Sequence, residues 1–110
     1  ALALACARPD AVSACCPFYG VMPWPTLQPD YSRIEASILG HFAEDDSMFT
    51  PEMVRGLEDR LRAEGKEVEF VIHPATQHAF FNDTRPEVYD AQASTTAWTS
   101  VVPFLKANIT

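Results

Sequence analysis

Two short segments of the sequence gather the residues that could do chemistry. One is Phe42-Ala-Glu-Asp-Asp-Ser-Met-Phe-Thr-Pro51, with a run of acids, and the other is His73-Pro-Ala-Thr-Gln-His-Ala-Phe-Phe-Asn82. A histidine serves as a general base when a neighbour fixes which ring nitrogen holds the proton. A carboxylate does this and also stabilises the imidazolium that forms. An acid of the first segment beside His78 of the second would make such a pair. Singly, each segment also has a plainer reading. Glu44-Asp45-Asp46 reads as a solvated run at a helix entry. His78 reads as a surface or packing residue, and His41 and His73 as structural ones. Chain order favours the chemical reading: an acid loop, a helix, a strand, a histidine loop and a final helix follow one another. That is the order of the last two members of a Ser…Asp…His triad.

The elements that must position these loops are legible from periodicity and punctuation. Residues 1–7, Ala-Leu-Ala-Leu-Ala-Cys-Ala, are strong helix formers stopped by Pro9. Ala11 to Tyr19 is a short apolar run closed by Gly20, and reads as a buried strand with Pro17 near its end. Residues 21–33, with Pro23, Pro25 and Pro29, read as an irregular loop, and Ile34 to Glu44 as a second buried strand. Thr50 followed by Pro51 predicts a capped helix, with Met53, Val54, Leu57 and Leu61 on its apolar face and Arg55, Glu58, Asp59 and Arg62 elsewhere. Gly65 ends that helix, and alternation through Val68, Phe70 and Ile72 predicts a third strand to His73. Pro86 is expected to open the last helix, whose apolar stripe holds Tyr89, Ala93, Ala97, Trp98, Val101, Phe104 and Leu105. Pro103 is expected to kink or end it. Strands joined through helices predict an α/β architecture: a single domain over residues 1–110, with about three parallel strands and helices on both faces. Functional loops then lie beyond the carboxyl ends of the strands, where both segments fall.

Composition narrows the function classes. The 110 residues are 47% hydrophobic and carry 8 Lys and Arg against 15 Asp and Glu, for a net charge of −7. No basic stripe exists for nucleic acid, and no apolar run of about 18 residues for a membrane span. Gly20, Gly40, Gly56 and Gly65 are too widely spaced for a phosphate-binding loop, which argues against a nucleotide-binding domain. Cys6, Cys15 and Cys16 are odd in number and lack a C-x-x-C spacing. They read as reduced, buried thiols of a cytoplasmic protein, and no metal site is expected.

The loops carry a resemblance. Gly40-His-Phe-Ala-Glu-Asp-Asp-Ser-Met-Phe-Thr-Pro-Glu52 and Pro74-Ala-Thr-Gln-His-Ala-Phe-Phe-Asn-Asp83 resemble the acid and histidine loops of the dienelactone hydrolase family. Val12 to Gly20, ending Pro-Phe-Tyr-Gly, and the opening Ala-Leu run are similar to the strand and helix that follow that family's nucleophile. The resemblance spans essentially the whole chain. It implies an α/β-hydrolase fold and a Cys-His-Asp triad acting on lactones or carboxylic esters without metal or cofactor. His78 is then the base and Asp46 the orienting acid, with Asp45 as the alternative. Asn82, four places after His78 where lactone-selective members are expected to carry an arginine, and Phe80 are the substrate-side candidates. The family's Gly-x-Cys-x-Gly elbow does not occur in these residues. The chain is therefore expected to be the carboxyl-terminal half of such a hydrolase, nearly inert alone, and either a homodimer or associated with an amino-terminal half. A non-catalytic oligomeric or binding module is the competing expectation.

Overall fold

The computed structural model describes residues 1–22 and 24–109; Pro23, assigned above to the loop after the first strand, lies outside the described residues. Three strands, β1 (Ala14–Cys15), β2 (Ser37–Ala43) and β3 (Val68–His73), form one parallel sheet in the order β1-β2-β3. Three α-helices accompany them: α1 (Leu2–Ala7), α2 (Pro51–Ala63) and α3 (Ala91–Asn108). Single 3-10 turns lie at Pro25–Leu27 and Tyr31–Arg33. The α/β class and the parallel sheet stand as the periodicity predicted.

The central strand shows why both faces are covered. Side chains alternate across a strand, and six of the seven residues of β2 are buried. Ile38 and Phe42 join a core with Leu2 and Ala5 of α1, Val54 and Leu61 of α2, and Phe70 of β3. Ala43, pointing the other way, joins Phe80 and Ala93 and Ala97 of α3. Gly40 stands opposite Phe70 in the register, and a methyl group there would come within 2.7 Å of the Phe42 and Phe70 rings. The absence of a side chain lets those two rings pack 4.9 Å apart.

Helix α2 starts as its sequence dictates: Thr50 Oγ1 accepts from the Met53 N–H at 3.4 Å, and Pro51 holds the first position. Gly65, at φ +77°, reverses the chain after it. One of its residues overturns the expected pattern. Glu58, placed off the apolar face, is buried, because its carboxylate accepts the Phe70 N–H at 2.7 Å. Arg55 donates to the Phe70 carbonyl at 2.7 Å and Arg62 to that of Val68 at 3.2 Å. The polar side chains of α2 thereby occupy backbone groups on the edge of β3 that β2 leaves free, which blunts that edge.

Three boundaries differ from expectation. The first strand shrinks to Ala14–Cys15 with a single bridge from Phe18 to His41, since Pro17 has no N–H to continue the ladder. The second begins at Ser37 rather than Ile34, which follows a 3-10 turn capped by Asp30. The last helix begins at Ala91, not at Pro86. The N–H groups of Val88 and Tyr89 close a turn on the Arg85 carbonyl, Asp90 is extended, and its carboxylate caps Ala93 at 2.9 Å. Trp98 is 53% exposed and Tyr89 lies outside the helix, so the buried stripe is Ala93, Ser94, Ala97 and Val101. Pro103 does not end α3, which runs on to Asn108; it is exposed, where water can take the place of the lost N–H.

Candidate active site

The loops that follow β2 and β3 are stitched together before any side chain of the candidate pair is considered. The Glu44 N–H donates to the His73 carbonyl at 3.1 Å and the Asp45 N–H to that of Thr76 at 2.9 Å. Thr76 Oγ1 donates to the His73 carbonyl at 2.7 Å, and Glu44 Oε1 accepts the Ala75 N–H at 3.1 Å. Adjacent parallel strands end side by side, so their following loops meet.

Within this frame the structure brings Asp46 and His78 together. Asp46 is buried, and its Oδ1 accepts the N–H groups of Met48 at 2.8 Å and Phe49 at 3.0 Å. Its Oδ2 lies 2.7 Å from His78 Nδ1. A carboxylate held this way presents one fixed acceptor to the ring, so His78 carries its proton on Nδ1 and leaves Nε2 as the basic nitrogen. The His78 side chain is 38% exposed, and Nε2 has no hydrogen-bond partner among the described residues. Asp45 points elsewhere: it is exposed, and only its backbone reaches the histidine loop.

Two aromatic rings flank the imidazole. Tyr19 meets it edge-on at 5.0 Å between centroids, and Phe49 lies 5.8 Å away. Neither was singled out in the sequence; the only signal for Tyr19 was its place just before Gly20 at a strand end. Tyr19 sits at φ +37° and Ala79, directly after His78, at φ +68°. Left-handed backbone at residues other than glycine costs on the order of 1–2 kcal/mol and persists where the surroundings fix it. At Tyr19 its N–H is held by the His41 carbonyl.

The remaining candidates fall elsewhere. Phe80 is fully buried and packs against Tyr19 and His73 beside the site. Asn82 Oδ1 is occupied by the Thr84 N–H at 3.0 Å and the Thr84 hydroxyl at 2.7 Å. His41 and His73 are buried, and they pair with each other at 2.9 Å. The thiols are free; Cys6 and Cys15 are buried and Cys16 partly so. Burial pushes all three upward, Cys15 to about 11, so none is a ready thiolate at neutral pH. Among the described residues no group of three or more His, Cys, Asp or Glu side chains is arranged for a metal ion, and no helix is long and apolar enough to cross a membrane.

Comparison with known proteins decides the family. Residues 1–109 match the model of the dienelactone hydrolase family. The chain belongs to the dienelactone hydrolase family. Protein usf of Aquifex pyrophilus is 31% identical over 102 residues, covering 93% of this chain and 43% of that protein. A Saccharolobus solfataricus protein named "Putative carboxymethylenebutenolidase" is 37% identical over 92 residues, 81% of this chain and 33% of its own length. A solved structure, a dienelactone hydrolase-like promiscuous phosphotriesterase from metagenomic libraries, has a TM-score of 0.81 at 21% identity. It covers 96% of this chain and 46% of its own. The likeness assigns the three strands and their helices to the α/β-hydrolase fold. This family member spans less than half the length of those relatives.

Proposed function

We propose that this chain supplies the base and the orienting acid of a hydrolase that opens lactones or carboxylic esters by nucleophilic acyl transfer. The observation that carries the reading is the Asp46–His78 contact, with the carboxylate saturated on one oxygen and the imidazole open at Nε2. Family membership and the name of the Saccharolobus relative support a hydrolase of this substrate class. His78 Nε2 accepts the proton of a thiol or hydroxyl nucleophile as that atom bonds to the substrate carbonyl carbon. The imidazolium, stabilised by Asp46, then protonates the leaving oxygen as the ester bond breaks. Water loses a proton to the same nitrogen as its oxygen bonds to the acyl carbon, and that proton passes to the nucleophile as its bond to the acyl group breaks. None of Cys6, Cys15 and Cys16 is activated for this task, and no hydroxyl of the described residues is hydrogen-bonded to His78 Nε2, so the nucleophile is assigned to residues outside these 110.

The test is hydrolysis of an aryl ester by this chain combined with a segment carrying a nucleophile elbow, in one polypeptide or as two. His78→Ala is expected to lower kcat on the order of 10³-fold. Unchanged turnover in that variant would overturn the assignment, as would His78-dependent turnover by the 110 residues alone. A second reading, a module that works by association with a copy of itself or with an amino-terminal half, is favoured by the position of β1 at the sheet edge. Solution mass separates these: a monomer with no partner counts against association.

A further inference from the structure

Outside the Asp46–His78 pair, the most unusual polar feature is a chain of hydrogen bonds through the interior. His41 Nδ1 lies 2.9 Å from His73 Nε2, and His41 Nε2 lies 3.1 Å from Ser100 Oγ on α3. The Ser100 hydroxyl already donates to the Ala97 carbonyl at 2.8 Å. Its oxygen must therefore accept from His41, which places the His41 proton on Nε2 and leaves Nδ1 as an acceptor. His73 Nε2–H then donates to His41. Both imidazoles are neutral in this arrangement and every bond runs one way, from β3 through β2 to α3.

The same residues hold the functional loops through their main chains. The His73 carbonyl takes both the Thr76 hydroxyl and the Glu44 N–H, and so joins the histidine loop to the acid loop. The His41 carbonyl takes the Tyr19 N–H, whose ring faces His78. Aromatic rings enclose the pair, Phe18 against His41 at 5.1 Å and Phe80 against His73 at 5.0 Å. The charged groups felt there are few: His73 by His41, and Asp90, the cap of α3, by His73. Burial outweighs Asp90 and holds His73 below its ordinary value; it takes His41 down to about 4.

The geometry points to the His41–His73–Ser100 chain as a latch that keeps the loops bearing Asp46 and His78 together and lets go when it is charged. One added proton leaves the His73–His41 bond intact, because the ring that gains it still faces an acceptor on the other. A second forces two N–H groups against each other at 2.9 Å, each on a cation and neither with an acceptor. The bond is then lost, and with it the side-chain tie of β3 to β2 and α3, while His41 Nε2–H still donates to Ser100.

The latch is tested by proton and nitrogen NMR of the 110-residue chain, without any catalytic assay, so failure of the proposed reaction leaves this test untouched. The downfield proton between His78 Nδ1 and Asp46 is followed from pH 7 to pH 2.5, with the imidazole nitrogens of His41 and His73. Loss of that proton is expected to coincide with the second protonation of the buried pair. In His41→Gln, whose amide keeps a donor and an acceptor but does not titrate here, the proton is expected to persist at least one pH unit lower. Loss at the same pH in wild type and His41→Gln overturns the latch. If His41→Gln does not fold, the wild-type curves decide: loss that precedes any change at the His41 and His73 nitrogens also overturns it.

Discussion

At the scale of single residues, the choice between two adjacent acids rests on backbone donors. Asp45 and Asp46 have the same chemistry and differ by one position, yet only Asp46 meets the N–H groups of Met48 and Phe49 and the ring of His78. Asp46→Asn would replace the fixed anion with an amide that can turn its donor toward His78 Nδ1, favouring the wrong tautomer. In a polypeptide that also holds the nucleophile, kcat is expected to fall by about 10²–10⁴-fold, as loss of an orienting carboxylate does elsewhere. Asp45→Asn is expected to change kcat by less than about 3-fold, because exposed substitutions away from special contacts stay within about 0.5 kcal/mol. Equal effects of the two substitutions, measured as kcat on one ester, would remove Asp46 from its proposed role. The acid run and the histidine were both visible in the sequence. The family resemblance named Asp46 and kept Asp45 as the alternative; the residues by themselves left the choice open, since it depends on how the loop between β2 and α2 folds over its own amides.

At the scale of elements, α2 shows how far a helical pattern can be trusted. Its cap, its proline and its Gly65 end were readable, and Val54 and Leu61 are buried as the spacing required. Glu58 was not readable, because its partner is the Phe70 N–H, twelve residues away in sequence on a strand edge. Removing that carboxylate leaves a buried donor unpaired and two arginines without their acid. Glu58→Ala is therefore expected to lower stability by about 2–3 kcal/mol, read as a reduced midpoint in urea unfolding with an unchanged slope. A midpoint within error of wild type would show that the edge of β3 needs no such cap. The start of α3 missed by five residues for a related reason. Proline is welcome at a helix start, but here it opens a separate turn, and the true cap is Asp90, whose carboxylate finds Ala93.

At the scale of the whole molecule, the buried imidazoles couple stability to pH. His41 has its ordinary value of 6.5 in the unfolded chain and about 4 in the fold. Between those limits the unfolded chain binds more protons than the folded one, so stability rises with pH across that window. It is complete above about 6.5 and is lost as pH falls toward about 4. His73 is shifted in the same direction and adds to the slope. The loss is expected to reach roughly 3 kcal/mol for His41 alone, measured as unfolding free energy from urea curves between pH 7 and pH 4. A flat profile over that range would contradict neutral burial of the pair. The sequence by itself determined the α/β class, the parallel order of elements, the caps of α2 and the two loops that matter, because periodicity, proline and glycine act within a few residues. Only the tertiary structure decided that Asp46 and not Asp45 meets His78, that Tyr19 backs the ring, that Glu58 closes a strand edge, and that His41, His73 and Ser100 join. Those outcomes depend on contacts between segments far apart in the chain, set by sheet register and by which buried donor finds which acceptor.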